Sequence, residues 1–243
     1  MSRMSILEIN KVSKNFGGLQ ALRNVDAKIN RGERFGLIGP NGSGKTTLLN
    51  VITGALPCDG GKIIFDGKDI TRLPGYKRTR LGITRTFQIP KPFTSMTVLD
   101  NVVIPLMYAS PKETPIHDVH ETALETLRLV DLDKKANLKP GELTQIEMRK
   151  LELARALAIK PKLLLLDEVC AGLTSAEIDD VLSILRRLNE EEGITIIMIE
   201  HIMRAVMTFC ERIMVLNSGI KIAEGTPEEI TNNAEVVKAY LGE

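Results

Sequence analysis

The chain has 243 residues, enough for one large α/β domain or for a core domain with an inserted subdomain. Its 32 lysines and arginines balance 31 aspartates and glutamates, and the net charge of +1 argues against nucleic acid as a partner. Three scattered cysteines without a CxxC pair favour a reducing compartment over a disulfide framework or a zinc site.

The first third of the chain predicts an antiparallel layer of strands. Residues 6–12 and 25–29 are predicted as short strands, and residues 33–38 form a strand that leads into a glycine-rich loop. Residues 62–65 alternate like an edge strand before the turn at Asp66-Gly67. We therefore expect this layer to lie beside the core that carries the loop.

The glycine-rich loop GPNGSGKTT predicts a cradle for a nucleoside triphosphate. Its glycines let consecutive N–H groups turn toward phosphates at the positive end of the next helix, which a purely structural turn would not need. Lys45 would reach the β and γ phosphates, and the Thr46 hydroxyl would bind Mg²⁺. The predicted nucleotide-binding residues here are Gly39, Pro40, Asn41, Gly42, Ser43, Gly44, Lys45, Thr46 and Thr47.

Residues 97–138 change to helical spacing of apolar side chains, with Pro105, Pro111 and Pro115 expected to break the run. This stretch fills the long interval between the glycine-rich loop and the next motif. We interpret it as a helical subdomain inserted into an α/β core.

Two continuous apolar runs, residues 163–166 and 195–199, predict central parallel strands that are covered on both faces. Thr174 with Glu177 predicts a capping box for a helix that reaches Leu188. The segment at residues 226–229 predicts the same device for the last helix.

The first of these apolar runs ends in two adjacent carboxylates. Asp167 is suited to the Mg²⁺ shell, and Glu168 is suited to orienting the water that attacks the γ-phosphate. The alternative is a strand end with solvated acids. The phosphate-binding loop upstream favours the catalytic interpretation.

Three single residues are weaker candidates. His201 follows the second run at the ligand-binding edge of a parallel sheet, where it would sense the γ-phosphate or be a packing or surface residue. Gln88, at the junction with the helical stretch, would reach Mg²⁺ or the attacking water. Phe16 would stack on a purine or belong to the core.

Together with the segment LTQIEMRKLELARAL, these motifs resemble, in order and spacing, the ATP-binding subunits of ABC transporters. The resemblance covers nearly the whole chain. The segments LEINKVSKNFGGLQAL, TRTFQIPKPFTSMTVLDNV and AEGTPEEITNNAEVVKAYLGE are most similar to the LivG-like ATPases of branched-chain amino acid importers. The family implies a P-loop NTPase (RecA-like) core with an antiparallel β layer and an inserted α-helical subdomain.

The resemblance also implies roles and boundaries. Phe16 would stack on the base, Gln88 would link the site to the membrane subunits, and Glu168 would be the catalytic carboxylate. Asp167 would support the metal, and His201 would be the switch residue. The chain would be a single ABC ATPase domain, with the catalytic core in residues 1–88 and 160–243 and the helical subdomain in residues 89–159.

The chain departs from the family where the signature LSGGQ packs against the nucleotide of the opposite subunit. The isoleucine there is β-branched, both glycines are lost, and the final glutamate adds negative charge near a phosphate. Val169 and the residues Gly172 to Ser175 also replace the family's usual proline-containing loop. The residues at the signature position are Leu143, Thr144, Gln145, Ile146 and Glu147.

The resulting hypothesis is an ATPase that powers import of branched-chain amino acids or, as in similar subunits, of amides or urea. ATP and Mg²⁺ would be its cofactors. No apolar run reaches the roughly 18 residues of a spanning helix, so we expect a cytosolic chain held at the membrane's cytoplasmic face by permease subunits.

The expected assembly also contains a second ATPase subunit. This subunit is expected to differ from the present chain, which would give two unequal nucleotide sites. A solute-binding protein would be an indirect partner. A homodimer is the alternative. A nucleotide-gated regulatory protein is the competing class. A DNA- or ribosome-associated ABC protein would need long coiled coils or two cassettes, and a GTPase would need an NKxD motif, none of which we find.

Overall fold

The computed structural model describes residues 4–88, 90–109 and 116–241. Pro111 and Pro115, and the predicted boundary residue Ile89, lie outside them. The strands in chain order are β1 (Ser5–Phe16), β2 (Leu19–Asn30), β3 (Arg34–Ile38), β4 (Gly60–Phe65), β5 (Lys68–Asp69), β6 (Ile83–Arg85), β7 (Leu163–Asp167), β8 (Thr195–Ile199), β9 (Arg212–Asn217) and β10 (Ile220–Gly225). The helices are α1 (Lys45–Thr53), α2 (Gly75–Arg80), α3 (Val98–Ala109), α4 (Ile116–Leu129), α5 (Gln145–Leu157), α6 (Ser175–Glu191), α7 (Met203–Phe209), α8 (Pro227–Thr231) and α9 (Ala234–Leu241).

The antiparallel layer is a sheet with the strand order β2-β1-β4-β5. Its first two strands are longer than predicted, because shifts in register between Val12 and Asn15 interrupt the alternation of apolar residues without ending the strands. Asn24, with φ of 46°, lies in the facing stretch of β2. The prediction that residues 62–65 form an edge strand is wrong, since β4 pairs with β1 on one side and β5 on the other.

The second sheet has the order β10-β9-β3-β8-β7-β6, and its pairs from β9 to β6 are parallel. All residues of β7 and β8 are buried, which confirms the two predicted central strands. Their side chains alternate between two apolar clusters. Leu164 and Ile196 pack with the helices, whereas Leu165 and Ile197 pack with the antiparallel layer. The sheet is therefore the middle of three layers.

The predicted helical stretch forms α3 and α4, which pack on each other, and α5 packs beside them. Pro105 lies inside α3 and does not end it, contrary to the prediction. A proline removes one backbone N–H, and α3 still buries Val98, Val102 and Leu106 on one face. The apolar contacts outweigh that loss.

Two predicted capping boxes are present. Thr174 accepts a hydrogen bond from the backbone of Glu177 and starts α6, which continues past the expected end to Glu191. The box at Thr226 starts α8, which is short and is followed by α9, so it does not cap the last helix. Asn233 does that, since its Oδ1 accepts bonds from the first turn of α9. None of the helices among the described residues combines the length and apolarity needed to cross a bilayer.

Candidate nucleotide-binding and catalytic site

The glycine-rich loop connects β3 to α1 and has glycine where packing leaves no room for a side chain. A Cβ atom on Gly39 would lie 2.0 Å from the carbonyl oxygen of Leu216. One on Gly44, at φ of 105°, would lie 2.7 Å from the carbonyl oxygen of Ala21. Gly44 also brings no side chain to cap α1, which leaves the first N–H groups of this helix for an anion.

Lys45 is 6% exposed and lies along the loop. Its Nζ donates hydrogen bonds to the carbonyl oxygens of Gly39, at 2.8 Å, and Pro40, at 3.0 Å. Burial lowers the pKa of Lys45, and the nearby carboxylates of Glu168 and Asp167 act in the opposite direction. The Lys45 ammonium group lies against the loop at the start of α1. A bound triphosphate could replace the two carbonyl oxygens with phosphate oxygens as its hydrogen-bond acceptors.

An open cavity of about 540 Å³ lies above the loop, within the usual size range for small-molecule sites. Phe16 lines it and is 46% exposed, so this aromatic is not a core residue. The cavity brings together residues from four parts of the sequence that were predicted to act together, and it adds several that were not. Its lining includes Phe16, Asn41, Gly42, Ser43, Gly44, Lys45, Thr46, Thr47, Glu168 and His201, with Leu19, Gln20, Ala21, Arg23 and Ser218 as the residues that sequence reasoning missed.

Backbone hydrogen bonds connect the antiparallel layer to the loop. The N–H of Arg23 donates to the carbonyl of Gly219 at 2.8 Å, and the N–H of Gly219 donates to the carbonyl of Ser43 at 3.0 Å. A Cβ on Gly219 would lie 2.7 Å from the Ala21 carbonyl oxygen, so the turn and β2 are in close contact. The hairpin that carries Phe16 is thereby attached to the phosphate-binding loop.

The Glu168 carboxylate lies at the centre of the predicted catalytic group. Gln88 Nε2 donates to Glu168 Oε2 at 2.6 Å, and His201 Nε2 lies 2.8 Å from Glu168 Oε1. The backbone of Glu168 has φ of 52°, and its N–H donates to the carbonyl of Ile199 at 2.9 Å. The structure thus brings together three side chains that are more than thirty residues apart in sequence.

Asp167 is buried at the end of β7, and this burial raises its pKa, while the Arg85 guanidinium acts in the opposite direction. No group of three or more acidic, histidine or cysteine side chains suited to a metal occurs in the described ranges. A metal here would therefore need phosphate oxygens as ligands, as Mg²⁺ commonly does. A desolvated carboxylate beside the loop fits such an ion, with the Thr46 hydroxyl as the second protein ligand.

The divergent signature forms a capping box at the N-terminus of α5, in which its own side chains accept the hydrogen bonds of the first backbone N–H groups. Thr144 accepts a hydrogen bond from the backbone of Glu147, and the Glu147 carboxylate accepts the Thr144 N–H at 3.0 Å. Lys135 Nζ lies 2.6 Å from the same carboxylate and lowers its pKa. The negative charge expected to face a phosphate is therefore already paired within this chain.

The two side chains that replace the signature glycines point in different directions. Ile146 packs against the main apolar cluster with Leu143, so its β-branched side chain does not cover the helix end as expected. Gln145 remains exposed, and a Cβ on Gly172 would lie 2.3 Å from its Nε2. Gln145 thus lies across the loop that follows β7.

Sequence reasoning missed a buried ion pair on α5 that holds the segment around Gln88. Arg149 Nη1 donates to the Gln88 carbonyl at 2.7 Å, and Nη2 lies 3.4 Å from the Ala171 carbonyl. Glu152, whose carboxylate is 3.7 Å from Arg149, accepts the Phe87 N–H. The sequence signal that could have revealed this pair is Arg149 and Glu152 themselves, two opposite charges three residues apart within a leucine-rich helix.

The comparisons with known proteins agree with this geometry. The family model described as ABC transporter matches residues 22–171. This chain belongs to the ABC transporter family. A second model, described as branched-chain amino acid ATP-binding cassette transporter, matches residues 221–243.

Curated relatives match over the full length. The high-affinity branched-chain amino acid transport ATP-binding protein BraF of Pseudomonas aeruginosa is 39% identical, with 100% of each chain covered. LivG of Escherichia coli K12 is 36% identical over 98% of each chain. A solved ATP-binding cassette of an ABC transporter in its ADP conformation has a TM-score of 0.89 at 35% identity, covering 99% of this chain and 100% of its own. The P-loop ATPase fold is confirmed.

We expect Lys45→Ala to weaken ATP binding by the purified chain at least about a hundredfold, because charge-assisted bonds to two phosphates, about 1.5–3 kcal/mol each, are lost. Titration with a fluorescent ATP analogue would measure this. Lys77→Ala, on the exposed face of α2, is the matched control and should bind normally. Unchanged affinity of the Lys45 variant would contradict the assignment.

Proposed function

We propose that this chain hydrolyses ATP to drive import of branched-chain amino acids through membrane permease subunits at the cytoplasmic face of the membrane. The observation that carries the proposal is the Glu168 carboxylate, held between Gln88 and His201 beside the phosphate-binding loop. The transported solute follows from the names of the relatives BraF and LivG and from the match at residues 221–243. The ATPase need not touch the solute.

In the proposed reaction the loop binds the triphosphate, and Lys45 neutralises the β and γ phosphates. Phe16 stacks on the adenine, which its exposed ring permits. Thr46 and Asp167 would hold Mg²⁺, and this ion when bound would supply charge neutralisation for the phosphates.

Glu168 then accepts a proton from the water that attacks the γ-phosphorus, and ADP leaves with the bridging oxygen. Gln88 and His201 fix the orientation of that carboxylate through their contacts at 2.6 and 2.8 Å. His201 lines the same cavity as the loop, which supports a contact between this side chain and the γ-phosphate. These roles make turnover depend on one carboxylate.

Glu168→Gln should lower kcat for ATP hydrolysis at least about a hundredfold, because the amide keeps the side-chain shape but cannot accept the proton. ATP binding should be retained, so bound nucleotide recovered after gel filtration should be ATP. Glu228→Gln, an exposed change of the same kind on α8, is the control. Normal turnover by the Glu168 variant would show that another residue is the base.

The permease surface proposed here is a groove of about 370 Å³ between the core and the helical subdomain. In the described part of the chain, four buried side-chain polar atoms lack a hydrogen-bond partner, and three of them belong to residues lining this groove. Such atoms are costly to leave unpaired. The three are Thr84 Oγ1, Glu152 Oε2 and Arg155 Nε. Because these atoms are already buried, a permease segment would reach them only after a local rearrangement of the groove, and one with both donors and acceptors would then satisfy them.

The segment after Gln88 borders this groove. Arg155 Nη1 donates to the Lys91 carbonyl at 2.9 Å, and its guanidinium lies 5.2 Å from the Phe93 ring centre. Lys91 and Thr94 are exposed, as the sequence predicts. A partner seated in the groove would therefore touch the backbone that leads to Gln88.

Cysteine at Lys91 or Thr94 should cross-link to a permease loop in the assembled transporter, since both residues are exposed in the segment whose Lys91 carbonyl contacts Arg155 of the groove. A Cys58→Ser background removes the one half-buried native thiol, the other two being buried. Cysteine at Lys28, exposed on β2, serves as the control and should not be captured. Equal capture at all three positions, or none in an intact complex, would exclude this surface.

A second ATPase subunit is also part of the proposal, and the two composite sites would differ. Nucleotide on this chain's loop would meet the partner's signature. The reverse site would meet Gln145, whose side chain is exposed at the start of α5, where the family has glycine. Because Glu147 is paired with Lys135, the inequality rests on this side chain and not on charge.

Gln145→Gly should raise ATP turnover of the assembled transporter about two- to tenfold if the reverse site is limited by that side chain. Ile146→Ala, which alters an inward-facing neighbour, should not. ATPase assays with the phosphate-loop lysine of each subunit mutated in turn would locate the gain. An equal loss of activity from the two lysine changes in the unmodified transporter would contradict the asymmetry.

A further inference from the structure

One buried acid in the core has no role in the reaction described above. Glu200, between β8 and His201, is 2% exposed. Its Oε1 accepts the backbone N–H of Cys170 at 2.7 Å. Burial raises the pKa of Glu200, whereas hydrogen bonds from Cys170 and from the backbone of His201 act in the opposite direction. Such a carboxylate is retained only where several donors converge on it.

The donors come from the two loops that carry the catalytic pair. The N–H of Glu168 donates to Ile199 at 2.9 Å, and two residues later the N–H of Cys170 donates to Glu200. His201 follows Glu200 directly. Two successive bonds therefore attach the loop after β7 to the end of β8, and the second depends on a side chain.

The attachment matters because the backbone at Glu168 is strained. A glutamate with φ of 52° is in the left-handed region, which non-glycine residues adopt only when the surroundings hold them there. The bond to Ile199 restrains one side of Glu168, and the bond between Cys170 and Glu200 restrains the other. The second bond supports the loop in the position that leaves the Glu168 side chain 2.8 Å from His201.

We propose that Glu200 is a positioning residue that holds the Glu168 loop against His201. This inference rests on the proposed function, because the Glu168–His201 distance matters for turnover only if both act on ATP. Glu200 is not among the residues that line the cavity above the loop. It acts through the backbone of Cys170 and His201.

A second buried glutamate provides a matched control. Glu33 is 4% exposed and accepts hydrogen bonds from the Asn30 N–H and from Arg212 Nε, both at 2.7 Å. It lies just before β3, whereas the phosphate-binding loop follows β3 at its other end. A purely structural role predicts similar consequences for changes at Glu33 and at Glu200.

The first measurement is steady-state ATP hydrolysis by the Glu200→Ala, Glu200→Gln and Glu33→Gln variants. Glu200→Ala should lower kcat about a hundredfold with KM for ATP unchanged, as expected for a displaced catalytic group. Glu200→Gln should recover part of this, to about tenfold below the parent chain, because one amide oxygen replaces two acceptors. Glu33→Gln should lower Tm but leave kcat within twofold.

The second measurement does not need turnover. The chain has three histidines, so the His201 imidazole signal in NMR spectra can be assigned by substitution. In the parent chain, the Glu168→Gln change should shift the His201 signal. The same change made in the Glu200→Ala variant should leave the signal where it was. If Glu200→Ala does not fold, the Glu168→Gln change made in the Glu200→Gln variant should produce a smaller shift than in the parent chain. An equal shift in all backgrounds, or normal kcat in both Glu200 variants, overturns the inference. If the parent chain has no ATPase activity, but the Glu200 change still removes the effect of Glu168→Gln on the His201 signal, the proposed function is refuted and the positioning role of Glu200 stands.

Discussion

The parallel register of β3, β8 and β7 is the constraint on which the site depends. These strands are neighbours, and each ends at the same edge of the sheet, so the segments that follow them meet there. The phosphate-binding loop follows β3, Asp167 ends β7 with Glu168 directly after it, and His201 comes shortly after β8. Parallel pairing requires covered faces, which is why a layer of helices and an antiparallel sheet are both necessary.

Buried charge is the second organising feature. Each buried ionised group costs free energy unless it is paired and hydrogen-bonded. In this molecule the partners of Arg149, Glu152 and Glu200 are mostly backbone groups of functional loops rather than other side chains. These hydrogen bonds restrain the loops, because a loop that moved away would leave the buried charged side chain without its partner.

Most residues of the candidate site could be predicted from the sequence, because they occur in short motifs whose functional groups are close together in the chain. The loop with Lys45 and the pair at Asp167 each combine a strand end with the required functional groups. The predicted strands stopped too early at Val12 and began too late at Val25, where register shifts interrupt the alternation of apolar residues. Pro105 was expected to break a helical run, but packing outweighs the one lost hydrogen bond. Both are tertiary effects on local signals.

What sequence reasoning did not find are contacts between distant segments that share no pattern. The pairing of Glu147 with Lys135 reversed an expectation about charge, because the direction of a side chain at a helix start depends on its neighbours in space. The contact between Arg149 and the Gln88 carbonyl is of the same kind. Roles of the site residues and the subdomain boundaries stay predictions.

The hydrogen bonds that run from Arg23 through Gly219 to Ser43 have a consequence for substrate choice. They join the hairpin bearing Phe16 to the phosphate-binding loop by main chain alone, so neither end can shift without breaking the other's support. The interval between the ring and the phosphate seat is then a fixed length. In the proposed ATPase, the Phe16 ring would therefore stack on a base at a distance from the loop that the main chain determines, and stacking alone would not distinguish the polar edges of different bases.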